Sequence, residues 1–138
     1  MELRRFTLDE ANALIPRLEM LMERLQRTAH AIRAALHAED TAADGRRPLR
    51  AMADVLRAQP ELAPFVTEME TTVAEIEELG CQFKGVDLGL VDFLGEVDGR
   101  PVLLCWQYGE KSIGFWHAID EGFAGRRPLA ATSTPVLQ

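Results

Sequence analysis

The hydrophobic period of this chain changes once, at Gly80, and that change constrains the fold more than any other feature. Before it, apolar residues return every three or four positions. After it they alternate, and Asp98-Gly99 sits between two alternating runs. A helical period of 3.6 cannot be accommodated in a strand, nor a period of two in a helix, so the two parts must fold differently. The expected class is α+β, with helices first and an antiparallel sheet after them.

The helical part opens with Thr7-Leu8-Asp9-Glu10. This is a capping box, in which threonine accepts from a free amide and glutamate reaches back to the cap. Leu14, Leu18, Leu21, Leu25, Ile32 and Leu36 then mark one stripe along a helix to about residue 39, and Pro16 is expected to kink its first turns or restart it. Residues 40–48 read as a loop, and 49–56 as a short helix. A second long helix is expected from about Glu61 to Leu79, with Pro64 in its first turn, Gly80 as its stop, and Leu62, Val66, Met69, Val73, Ile76 and Leu79 on one face. Six acids and no base lie between Glu61 and Leu79, whereas the first helix carries Arg17, Arg24, Arg27 and Arg33. The two helices are therefore expected to pair as an antiparallel hairpin. Their charges would select register, and the two apolar stripes would supply the stability.

In the second part, Asp98-Gly99 predicts a two-residue hairpin turn with Val97 opposite Arg100. Val91, Phe93, Gly95 and Val97 then share a face with Val102, Leu104, Trp106 and Tyr108, and this face should lie on the helices. The other face carries Asp92, Leu94, Glu96, Leu103, Cys105 and Gln107, with Asp92 opposite Cys105. A third strand is expected over 112–119. A two-residue Glu110-Lys111 turn puts Ile113, Phe115 and His117 on the helix side and leaves Trp116 on the open face; a three-residue turn reverses this. The two-residue reading is preferred because it buries more apolar area. One domain is expected, made of a helical part (1–80), a sheet and C-terminal loop (81–129) and a loose tail (130–138).

No apolar run approaches the length of a bilayer span, and the first residues lack a signal peptide, so a cytoplasmic location is expected. Cys81 and Cys105 read as buried thiols rather than a disulfide. The net charge of −7 argues against broad binding of a phosphate backbone, which needs a basic face. Arg46-Arg47 with Arg50, and Arg126-Arg127, read as solvated loop charges or as local anion sites.

The chain resembles the bacterial, archaeal and plant family known as domain of unknown function 2203. The resemblance runs through Phe6-Thr7-Leu8, Glu10-Ala11-Asn12 and Pro16. It continues through Gly89-Leu90-Val91-Asp92-Phe93, Leu104-Cys105-Trp106, Gly109-Glu110, Phe115-Trp116-His117, Gly122-Phe123, Gly125-Arg126 and Pro128-Leu129. It implies a shared fold and shared positions, and brings no activity, substrate or cofactor with it.

His117 with Asp120 and Glu121 is the nearest approach to a metal or acid–base set, since an imidazole and two carboxylates supply nitrogen and hard oxygen ligands. Glu110 or Asp92 would add another. Against this, a histidine on the core face most often simply bonds a carboxylate or carbonyl. Trp106 reads as core, or as the lining of a pocket. Trp116 reads as an exposed anchor for a partner, unless residues 120–129 fold back over it. Glu110 and Arg126 are expected to pair, with anion recognition by Arg126 as the alternative. His30 and His37 lie on one helix face, too far apart to share a metal within one chain, but able to meet their counterparts across a dimer.

Two functional readings follow. In the first, the protein is a non-enzymatic binding or assembly module, a homo-oligomer or the partner of another protein, acting through its helical hairpin or the Trp116 face. In the second, a pocket around His117, Asp120, Glu121, Glu110 and Arg126 binds a metal or small anion, with or without catalysis. The sequence names no cofactor and no complete catalytic set.

Overall fold

The computed structural model describes residues 4–42 and 56–129. Helix α1 spans Leu8–Ala13, and Thr7 caps it as the sequence predicts: Glu10 N donates to Thr7 Oγ1 at 3.0 Å, and Thr7 N donates to Glu10 Oε1 at 2.9 Å. The chain breaks at Leu14 and restarts as α2, Ile15–Ala42, with Pro16 in its first turn. Proline lacks the N–H that a helix interior needs, so a restart is the arrangement that suits it.

A 3-10 turn, Pro60–Leu62, leads into α3, Ala63–Glu78, which stops at Leu79 and Gly80. The expected loop over 40–48, the short helix over 49–56, the arginines of that segment and the tail over 130–138 lie wholly or largely outside the described residues.

Two helices, α2 and α3, pack on each other and on one face of a five-stranded antiparallel sheet. The strands are β1 Gln82–Gly85, β2 Leu90–Val97, β3 Arg100–Gln107, β4 Phe115–His117 and β5 Arg127–Pro128, and they neighbour one another in chain order. The sheet is thus larger than the three strands expected. β1 is short and bulged between Phe83 and Gly85, and β5 has two residues, so neither carries enough alternation to be seen in the sequence.

The central hairpin follows the predicted register, with Val97 opposite Arg100 and Asp92 opposite Cys105. Asp98 and Gly99 both have positive φ, 53° and 79°, which a two-residue turn with the right twist requires. The helix-side face buries Val91, Phe93, Val97, Val102, Leu104 and Trp106 against Leu18, Leu21, Met22, Leu25 and Ile76.

The third strand differs from expectation. Leu104 pairs with Trp116, and Leu103 with His117. Trp116 therefore joins the helix-side core, and His117 lies on the opposite face with Asp92 and Cys105. The connection is a seven-residue loop instead of a tight turn, because side chains hold it open. Trp106 Nε1 donates to Glu110 O at 2.9 Å, Gln107 N donates to Glu110 Oε1 at 2.8 Å, and Ile113 N donates to Asn12 Oδ1 at 2.8 Å. A two-residue turn would leave the indole N–H of fully buried Trp106 without a partner, which costs about 1–3 kcal/mol.

On α3 the expected face is the buried one: Leu62, Val66 and Ile76 are buried, Met69, Val73 and Leu79 pack against the core, and Thr72 joins them. Thr72 is wholly buried; it accepts from Arg24 Nε at 3.0 Å and donates to Glu68 O at 2.7 Å. Arg24 also pairs with Glu75. These contacts tie α3 to α2, with Met69 and Val73 half-buried against the core.

Candidate functional site on the outer face of the sheet

The sheet face turned away from the helices holds a buried polar cluster. Asp92 stands on β2, Cys105 directly opposite on β3, and His117 diagonally across on β4. Their fractional exposures are 2%, 1% and 1%. Three residue types that each carry a potential ligand atom are thus drawn together from the three central strands, with those atoms all within 4.8 Å of one another.

The hydrogen bonds count the protons. His117 Nδ1 lies 2.9 Å from Ala118 O, and a carbonyl only accepts, so Nδ1 carries a hydrogen. His117 Nε2 lies 3.1 Å from Asp92 Oδ2. One further proton must occupy that contact, on nitrogen beside a carboxylate or on oxygen beside a neutral ring. The pair is electrically neutral in both forms, which is how two such groups tolerate burial. Lys84 Nζ approaches the same oxygen at 3.5 Å from the exposed rim. The Cys105 thiol is pushed up to about 12, first by burial and then by the Asp92 charge, with Arg126 acting the other way. It is a protonated thiol at neutral pH rather than a nucleophile.

Beside this cluster Arg126 Nη2 donates to Glu110 Oε2 at 2.7 Å, forming the expected ion pair. The guanidinium carbon lies 3.9 Å from the Phe115 ring centroid and 4.8 Å from that of Phe123. Glu110 is used on both oxygens and Arg126 is stacked, so together they tie the C-terminal segment to the loop after β3.

The other sequence candidates are placed apart from a common pocket. Asp120 is exposed. Glu121 accepts from Ala118 N at 3.0 Å and from Arg127 Nη2 at 3.1 Å, so its carboxylate holds the chain after β4 in place. Trp106 is core. Trp116 is 9% exposed, packed on the helix side, with Arg127 stacked 4.9 Å above it. Strand β5 covers its outer edge through the Trp116–Arg127 pairing, so the expected exposed anchor does not form. The His30–His37 pair cannot be placed, since the His37 side chain lies outside the described residues.

Sequence reasoning put Asp92 opposite Cys105 but separated His117 from them. The signal that could have joined the three was the reversed register available to a longer loop. The model of the family described as uncharacterized conserved protein, DUF2203, matches residues 4–129. The chain belongs to that family. No curated protein and no solved structure matches it. In this DUF2203 member the segments that carry the resemblance meet in space. They supply Asp92, Cys105 and His117 to the buried cluster and Glu110 and Arg126 to the neighbouring pair.

Two clefts among the described residues lie elsewhere. One, of about 590 Å³, is lined by Gln26, His30, Arg33, Val86 and Asp87, and is bridged by an Arg33–Asp87 ion pair. The other, of about 360 Å³, is an apolar groove along α3 lined by Met69, Glu70, Val73, Ala74 and Glu77. No helix among the described residues is long and apolar enough to cross a membrane.

Proposed function

We propose that this protein is a non-enzymatic assembly module that pairs with a second copy of itself through its helices. The observation that carries this reading is the α3 edge. Phe65, Met69 and Val73 recur at four-residue steps, none of them is fully buried, and Met69 and Val73 line the apolar groove between Glu70 and Glu77. An apolar strip at helical spacing with a charged border is the form in which one helix receives another.

Charge favours a second copy as the occupant. After its first turn α3 is acidic and carries no base, while α2 presents exposed Arg17 one turn from Met20, which is 56% exposed. A two-fold axis would set the α3 of each copy against the α2 of the other and satisfy both contacts at once. A stable pair needs about 800 Å² buried per partner, more than one helix edge supplies, so both helices must take part.

The chemistry of the outer face supports a non-catalytic role for this surface. The carboxylates of Glu110 and Glu121 are paired with arginines, and Asp92 with His117, in the resting fold. Sedimentation velocity over a concentration series tests the reading. The expected result is a dimer that Met20→Glu with Phe65→Glu, at exposed positions, converts to a folded monomer. A wild-type protein that stays monomeric at high concentration overturns it.

A further inference from the structure

We propose that Asp92, Cys105 and His117 form a binding site for a single zinc-like divalent cation, with Asp92 Oδ2, Cys105 Sγ and His117 Nε2 as ligands. The site is independent of the helix-face assembly, since it lies on the opposite side of the sheet.

Ligand type comes first. Thiolate, imidazole and carboxylate together are the donor set of zinc, whereas calcium and magnesium take oxygen alone. The geometry follows. Bonds of about 2.0–2.1 Å around a tetrahedral ion set nitrogen and oxygen ligands about 3.3 Å apart. His117 Nε2 and Asp92 Oδ2 stand 3.1 Å apart, and the sulfur lies within 4.8 Å of both, so adjustments of side-chain torsion would bring all three onto one ion. The strands need not move. Asp92 and Cys105 are opposite partners in the central hairpin, and His117 is held by its pairing with Leu103.

The imidazole is already oriented for this. Its Nδ1–H is committed to Ala118 O, which leaves Nε2 as the atom aimed at Asp92. A backbone carbonyl that fixes the remote nitrogen is the usual outer support of a metal-bound histidine. Two basic atoms facing each other in a dry site require a positive charge between them, and a proton or a metal ion can supply it. Charge balance favours the ion once the thiol gives up its proton. Thiolate and carboxylate together carry two negative charges, which a divalent cation cancels in a buried setting where an uncompensated charge is costly. The Lys84 ammonium, on a side chain 39% exposed, can turn out to solvent as the ion enters.

A second observation points to the same place. Gln82 is the β1 residue opposite Asp92, and so lies on the same face; its Oε1 is buried and has no hydrogen-bond partner. A buried amide oxygen is normally satisfied, and one without a partner on the same sheet face as three potential ligands fits a fourth ligand or the acceptor for a metal-bound water. Lys84, 39% exposed at its side chain and 3.5 Å from Asp92 Oδ2, marks the side from which an ion can enter.

Cobalt is the probe, because a thiolate bound to Co²⁺ gives a near-ultraviolet charge-transfer band that oxygen or nitrogen ligands do not, and visible bands whose intensity reports tetrahedral geometry. The full chain, freed of metal with chelator, is titrated with Co²⁺ and then with Zn²⁺ in competition. The expected result is one ion per chain, the thiolate band, and a rise in Tm on adding Zn²⁺. Cys105→Ser, a near-isosteric change that should keep the fold, is expected to abolish the band. It should also weaken Zn²⁺ by more than about 100-fold, since outer-sphere partners alone are worth about 10- to 100-fold. Cys81→Ser, which alters the other buried thiol, is expected to leave the band unchanged. No thiolate band with folded wild-type protein at excess Co²⁺ overturns the proposal. So does a band lost with Cys81 rather than Cys105, or metal uptake that survives in Cys105→Ser.

Discussion

The centres of the two faces of the sheet are both sealed from water and are held by different physics. On the helix side, Trp106, Phe93, Val91 and Leu104 are sealed by other apolar side chains, and transfer from water supplies the stability. On the outer side, Asp92, Cys105 and His117 are sealed just as completely, and stability depends on each polar atom finding its partner. The first face tolerates approximation and the second does not. A leucine packed slightly wrong loses a few contacts, whereas a carboxylate without its histidine is a buried charge answered only by Lys84 at the rim.

The largest test of this contrast is Trp106→Ala. It removes the biggest fully buried side chain and frees Glu110 O, and it is expected to cost about 3–5 kcal/mol in urea unfolding. Asp92→Ala should cost about 3 kcal/mol because it leaves His117 facing nothing. The double change Asp92→Leu with His117→Leu should recover most of that loss, since apolar replacement of a buried pair is often neutral. If the double variant is as unstable as the single one, the outer face is a packed core like the inner one and the contrast fails.

The smallest effect, taken over a single pH unit, is a pH slope. Burial pushes the thiols of Cys81 and Cys105 up to about 12 from an ordinary value of 9.0. The unfolded chain therefore loses these protons first as pH rises. Stability is full below about 9 and falls between about 9 and 12, by up to about 1.4 kcal/mol per pH unit for each thiol. Unfolding followed by circular dichroism across that range, in metal-free protein with and without Cys81→Ser, should show a shallower slope in the variant.

The elements that could be read from the sequence are those fixed by local signals. The Thr7–Glu10 box, the Pro16 restart, the Gly80 stop and the Asp98-Gly99 turn each act within a few residues, and all four are present. The position of His117 is fixed by contacts that sequence does not display. Ile113 is held by Asn12, 101 residues away along the chain, and that tie sets the loop that sets the register. A register slip of one residue moves every side chain of a strand to the other face, so the same uncertainty misplaced both His117 and Trp116. Thr72 was missed for a related reason. It reads as polar in a helical pattern, and its bonds to Arg24 and Glu68 O are what let it be buried beside Val73.

The sheet is a pure meander in which each strand pairs with its neighbour in the chain. That order has a kinetic meaning. The loops to be closed within residues 82–128 are short, and closing short loops costs little entropy, so the sheet can begin to form from its central hairpin without waiting for the helices. The Asn12–Ile113 bond belongs to the opposite extreme, a closure of nearly the whole chain, and it should form late, as the latch that joins a sheet to helices made separately.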